Sequence, residues 1–461
     1  MKRKASILAV FGLVFFAITA CAPFQQYRTV YPAVCVSPTP APSDECEKHA
    51  IQRLPTKNGS SYLLGFIEFD DQGQLWDRKQ MSNVLGAIEH DASTKDLLIV
   101  VFVHGWKHSA APGDGNIETF RKALANLSDA ETSIATLTHA PPREVAGVYL
   151  GWRGGSVPVP VLENVTFWDR KNTAEKVGHG NVTEVLGRLE LIKEAKNSTT
   201  AGEKKTRFVI VGHSFGGAVV TTALTQILTS RFIVTEGPAG LQSNVRGFAD
   251  LVVLINPAIE ALQFASLSDM ATERGSYFQS QLPVMLELTS EHDYATRYAF
   301  SFGRTFSTLF ENTRDNVKRF NAVTRKDETI DEGDATETAV GHFEPYRTHR
   351  LYPVGKSERA QLKAMSVEQS MQLFAQASSD WANDKPGSKI QFGEVMLERT
   401  SSSAGRNPYL FTYVDKKLIE DHNDIDDPRI IEFIKQLILI STRSPEQASR
   451  IRKLQQAPAG K

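Results

Sequence analysis

A Gly-x-Ser-x-Gly pentapeptide, Gly212-His213-Ser214-Phe215-Gly216, follows the apolar run Phe208-Val209-Ile210-Val211 and leads into Gly217-Ala218-Val219-Val220. That order predicts a strand, a sharp turn and a buried helix. A serine at the apex of such a turn presents its hydroxyl outward, and the two glycines lack the Cβ atoms that would collide there. The amino end of the following helix favours negative charge developing on the atom under attack. The chemistry such a serine can do is acyl transfer. It then needs a base, an acid that orients the base, and N–H donors for the oxyanion.

Open α/β sheets build their sites at the carboxyl ends of strands, so each partner is sought there. The oxyanion candidate is the turn Val103-His104-Gly105-Trp106 after the apolar run LLIVVFV. The donors would be the backbone N–H groups of Trp106 and Phe215, with His104 a structural turn residue. For the acid, Asp293 in Ser290-Glu291-His292-Asp293 lies just past the run VMLELT. Glu260, after Asn256-Pro257-Ala258, is its rival, and Glu291 a lesser one. The base candidate is His422, within DKKLIEDHNDIDD (415–427); of eleven histidines it alone follows the last expected strand. His342 and His349 are rivals inside a long insertion, and His213 is expected to pack rather than react. Trp106, Trp152, Phe167 and Trp168 fit an apolar acyl group, and core packing explains them equally.

The elements that must position these residues alternate along the chain. Strands are expected at Ser61 to Asp70, Leu97 to Val103, Val145 to Trp152, Phe208 to Gly212, Leu251 to Asn256, Val284 to Thr289 and Tyr409 to Val414. Between them lie helical patterns at Met81 to Ala92, Asn116 to Ala130, Thr173 to Lys196 (broken near Gly178-His179-Gly180) and Gly216 to Ser230, with a closing helix at Pro428 to Ile440. Continuous apolar strands mean a sheet covered on both faces, and the alternation predicts a three-layer α/β fold with a mostly parallel sheet. Residues 298–389 interrupt the rhythm before the last strand, as a cap over the site or as a decorated crossover.

The amino terminus reads as an export signal. Lys2, Arg3 and Lys4 precede an uncharged apolar run, Ala5 to Ala20, too short for a stable membrane span. The following Ile18-Thr19-Ala20-Cys21 resembles a bacterial lipobox, which implies a signal peptide at 1–20 and diacylation of Cys21. Ala22 in the next position points to the outer membrane, facing the periplasm, in a host that has one. Residues 21–60, Pro-rich at SPTPAPSD, are expected to be a tether lacking the apolar surface to order itself, and 442–461 a polar tail. Cys35 and Cys46 are expected to form a disulfide in an oxidising compartment. With no cysteine beyond 46, the main domain has no thiolate nucleophile. The chain holds 52 basic and 53 acidic residues, and removing the signal's three lysines and arginines leaves 49 against 53. No basic excess argues for nucleic acid.

Taken together, the strand–HGW turn, the GHSFGG elbow, Asp293 and His422 resemble the α/β-hydrolase superfamily, specifically its lipase- and esterase-like serine hydrolases, over roughly 61–441. VYLGWRGGS (148–156) followed by TFWDRKNTAEKVGHG (166–180) resembles a bacterial subgroup of that superfamily. The resemblance implies an acyl-enzyme mechanism on small-molecule or lipid esters, with no metal and no organic cofactor. A departure is Asp421, where many relatives carry Gly before the histidine; its carboxylate is expected to raise the basicity of His422 or crowd it. The competing class is a non-catalytic binding or assembly lipoprotein on a hydrolase scaffold.

Overall fold

The computed structural model describes residues 23–155, 160–199, 205–237, 240–300, 312–355 and 367–442. The expected signal, Cys21 and the tail beyond 442 lie outside the described residues. Where the chain must bury both faces of a strand it is apolar at every position: β4 (Leu97–Val103) is LLIVVFV and wholly buried. Alternate side chains enter separate cores. Leu97, Ile99, Val101 and Val103 pack into one, while Leu98, Val100 and Phe102 pack into the other. This is the period-two geometry of a doubly covered sheet.

The other central strands are β3 (Ser61–Glu68), β5 (Glu144–Gly151), β6 (Arg207–His213), β7 (Leu251–Ile255), β8 (Met285–Ser290) and β14 (Tyr409–Val414). They lie in the order β3-β5-β4-β6-β7-β8-β14, each parallel to its neighbour. Helices α1 (Arg78–Thr94), α4 (Val182–Thr199), α5 (Phe215–Ile233) and α6 (Ala265–Arg274), together with α3 (Pro160–His179), contribute to the first core. Helices α2 (Gly115–Thr138), α8 (Val367–Ala382) and α9 (Pro428–Thr442) cover the second. The architecture is the expected three-layer α/β sandwich. Gly180 and Asn181 separate α3 from α4, at the break the sequence marks.

Both edges depart from expectation. The segment expected to be a loose tether is part of the fold from Pro23 onward. β1 (Cys35–Val36) pairs with β2 (Ile51–Pro55), which runs antiparallel to β3. The Cys35–Cys46 disulfide is present. Arg28, fully buried, donates from Nε to the Ala110 carbonyl at 2.8 Å and pairs with Glu47, which also binds Arg121. Polar anchors with distant partners hold this segment, so its shortage of apolar residues did not leave it unordered.

At the other edge, the long insertion builds sheet. β11 (His349–Pro353) extends the sheet parallel to β14, and β13 (Val395–Arg399) and β12 (Lys389–Phe392) close it antiparallel. A hairpin of β9 (Val317–Asn321) and β10 (Lys326–Ile330) and the short α7 (Glu332–Glu337) precede them. Among its described residues the insertion is therefore a decorated crossover, and it continues to Arg399 rather than ending at 389. Residues 301–311 and 356–366 lie outside the description. Among the described residues no helix is long and apolar enough to cross a membrane.

Candidate active site

The elbow is built where β6 meets α5. Ser214 has φ 56° and ψ −122°, backbone values that cost a non-glycine residue on the order of 1–3 kcal/mol. Surrounding bonds hold it there: its N–H donates to the Ile255 carbonyl at 3.0 Å, and its carbonyl accepts from Gly217 and Ala258. A Cβ at Gly216 would sit 2.0 Å from the Val103 carbonyl oxygen, and one at Gly212 would sit 2.7 Å from that of Gly216. Only glycine fits either place.

Three loops from separate strand ends converge on this serine. His422, after β14, brings Nε2 to 2.6 Å from Ser214 Oγ. Its Nδ1 lies 2.9 Å from both carboxylate oxygens of Asp293, which follows β8. Asp293 is fully buried and the imidazole side chain is 16% exposed, so one face of the dyad stays open. Burial alone would raise the Asp293 carboxyl. The facing imidazole and the Thr296 donors outweigh it and hold the carboxyl below its ordinary value. The Thr296 N–H donates to Oδ1 at 3.1 Å, and His342 Nε2 lies 3.1 Å from the Thr296 hydroxyl.

The turn after β4 packs directly on the serine: a Cβ at Gly105 would lie 2.8 Å from Ser214 Cβ. Phe215 is the first residue of α5, where an N–H has no acceptor within the helix. The Trp106 ring meets Phe167 edge-on at 5.5 Å, and Phe167 lies 4.8 Å from Phe215; the two phenylalanines belong to the first core, with Trp106 packed against it. His104 is fully buried and locked on both nitrogens. Nδ1 lies 2.9 Å from the Gly105 carbonyl, and Nε2 accepts from the Trp152 N–H at 3.0 Å. Burial drives its pKa down to about 4, so it is a neutral brace for the turn. Trp152 stacks on it rather than lining the site. The side chain of Trp168 lies outside the described residues.

The rivals are placed elsewhere. Glu260 is buried against Lys171, with Oε1 2.8 Å from Nζ. Glu291 accepts from the Lys416 N–H. His349 sits inside β11 against Thr348, and His342 stands behind Asp293 rather than facing Ser214. Asp421 does not crowd the imidazole; it accepts from the N–H groups of Asn423 and Asp424 and caps its own turn.

Sequence reasoning missed the residues that hold the histidine loop. Asn256, at φ 44°, donates from Nδ2 to the His422 carbonyl at 2.9 Å and accepts from the Ser290 N–H at 3.0 Å. His213 Nε2 reaches the same His422 carbonyl at 3.0 Å, so it packs and also anchors. Burial, then the neighbouring His422, drives the His213 pKa down to about 3. An Asn-Pro pair just past a buried strand was the available signal for Asn256. Among the described residues no group of histidines, cysteines and carboxylates could hold a metal ion.

No protein-family model matches the chain, and no curated protein matches its sequence. Among solved structures, it is similar to phospholipase PlaB from Legionella pneumophila, in complex with thio-NAD. The identity is 12%, the overlap covers 77% of this chain and 61% of that one, and the TM-score is 0.26. The chain thus spans about three-fifths of the length of that phospholipase.

Proposed function

We propose that the protein is a serine hydrolase that cleaves carboxylic esters through an acyl-enzyme, held at a membrane by a lipid on Cys21. The observation that carries this reading is the continuous line Ser214 Oγ, His422 Nε2, His422 Nδ1, Asp293 carboxylate, at 2.6 and 2.9 Å. In this mechanism Ser214 Oγ attacks the ester carbonyl as His422 Nε2 takes its proton. Asp293 keeps the Nδ1 proton facing it, fixing the tautomer and stabilising the imidazolium. The N–H groups of Phe215 and Trp106 receive the oxyanion, each worth roughly 3–4 kcal/mol in measured systems. His422 then protonates the departing alcohol, and water, deprotonated by the same imidazole, releases the acid and restores Ser214.

A panel of nitrophenyl esters of rising acyl length tests the reading. Turnover is expected with wild type and its loss with Ser214→Ala. Folded wild type inert towards every member, or Ser214→Ala as active as wild type, would contradict it.

A further inference from the structure

The arm formed by residues 23–28 lies at one pole of the sheet, and that pole is the one carrying the candidate site. The Tyr27 and Arg28 N–H groups donate at 2.8 Å to the carboxylate of Glu68, the last residue of β3. Arg28 binds the Ala110 carbonyl, beyond the turn that follows β4, and its guanidinium lies 4.1 Å over Phe66. Phe24 packs 4.7 Å from Trp76 and under Arg153, which follows β5. All these partners stand at or near the carboxyl ends of parallel strands, as Ser214, Asp293 and His422 do. From β3 to β6 is three strand spacings, about 14 Å.

Pro23 is two residues past Cys21, a reach of at most about 7 Å. A forty-residue flexible tether would instead leave about 35 Å of play and no preferred orientation. Two aromatic side chains project from this pole, Phe24 at 57% exposure and Tyr294, next to Asp293, at 60%. Exposed aromatics of this kind are suited to a bilayer interface. The opposite pole also carries apolar surface: α5 runs back from the elbow and ends at exposed Ile233 and Val234. The attachment point selects between the two poles.

We propose that the amino-terminal arm pins the anchor beside the candidate site, so that Ser214 faces the bilayer carrying the protein and its substrates are ester lipids of that bilayer. The proposal rests on the hydrolase reading and on acylation of Cys21.

The test uses the full-length lipoprotein in phosphatidylcholine vesicles, part of whose lipid carries brominated acyl chains. A bimane fluorophore is attached at Tyr294→Cys or, at the other pole, at Val234→Cys. With Cys35 and Cys46 bonded and Cys21 acylated, each variant has one free thiol. Bromine quenching at 294 is expected to exceed that at 234 at least threefold. Equal quenching, or stronger quenching at 234, overturns the orientation, and so does a mature protein whose mass shows no lipid on Cys21. A fluorophosphonate probe on the same samples reports the hydrolase reading separately. No labelling of Ser214 with the quenching pattern intact overturns the substrate half and leaves the orientation standing.

Discussion

Strand β8 and the loop that leaves it carry two buried carboxylates, Glu287 and Asp293, whose surroundings drive them in opposite directions. Both are fully buried. Glu287 sits within the strand, where its Oε2 finds no hydrogen-bond partner. Burial pushes its pKa up to about 8, and the Thr289 hydroxyl and the Thr412 backbone offset only part of that. Asp293 sits past the strand end, where the chain turns so that Thr296 can donate and the imidazole of His422 can approach from β14. The same desolvation is there outweighed. Burial disfavours the charge at both places. Only the loop past the strand end brings an imidazole against the carboxylate, in keeping with open sheets assembling their chemistry at strand ends.

The largest effect expected from this contrast is on turnover. Asp293→Asn should lower kcat about 10³–10⁴-fold, as loss of the orienting acid does in related constellations, while Glu287→Gln should change it less than about threefold. Similar kcat for the two variants would erase the distinction. Next is Glu260→Gln, which removes a partner of buried Lys171 and should cost up to about 3 kcal/mol in urea unfolding. Glu175 retains part of the compensation. Activity per folded molecule should stay near wild type; a loss on the scale of Asp293→Asn would transfer the acid's role to Glu260.

A further effect on stability concerns pH. Because the native pKa of Glu287 lies above its unfolded value, its contribution to stability is fully present below about 4.5 and is lost as pH rises through about 8. Glutamine mimics the neutral acid at every pH. The stability of wild type relative to Glu287→Gln should therefore fall on going from pH 5 to 8, by at most about 1.4 kcal/mol per pH unit. Parallel urea midpoints across that range would show that Glu287 is ionised in the native protein. Smallest of all, Asp421→Gly should alter kcat/KM by less than about twofold and cost about 1 kcal/mol or less, since its carboxylate serves its own turn.

The central strands and the elbow were legible because their signals are local. LLIVVFV can only be a strand covered on both faces, and Gly212 and Gly216 leave no room for a side chain. The chain order of Ser214, Asp293 and His422 was legible for the same reason, each falling just past an apolar run. The arm was not, because Arg28, Glu47 and Glu68 are ordinary charges until their distant partners are known. Nor were β11, β12 and β13, short strands at one end of the sheet that carry charged residues and lack the apolar density of β4. Asn256, His213 and Thr296 were invisible as a group, since what they share is a place around one loop and not a spacing.

The most direct measurement is site-mapped labelling with a fluorophosphonate. Folded wild-type protein and Glu287→Gln should form the phosphonyl adduct at Ser214 at similar rates, Asp293→Asn far more slowly, and His422→Ala not detectably. An unlabelled wild type, or an adduct that persists in Ser214→Ala, would contradict the assignment of Ser214, His422 and Asp293 as one catalytic unit.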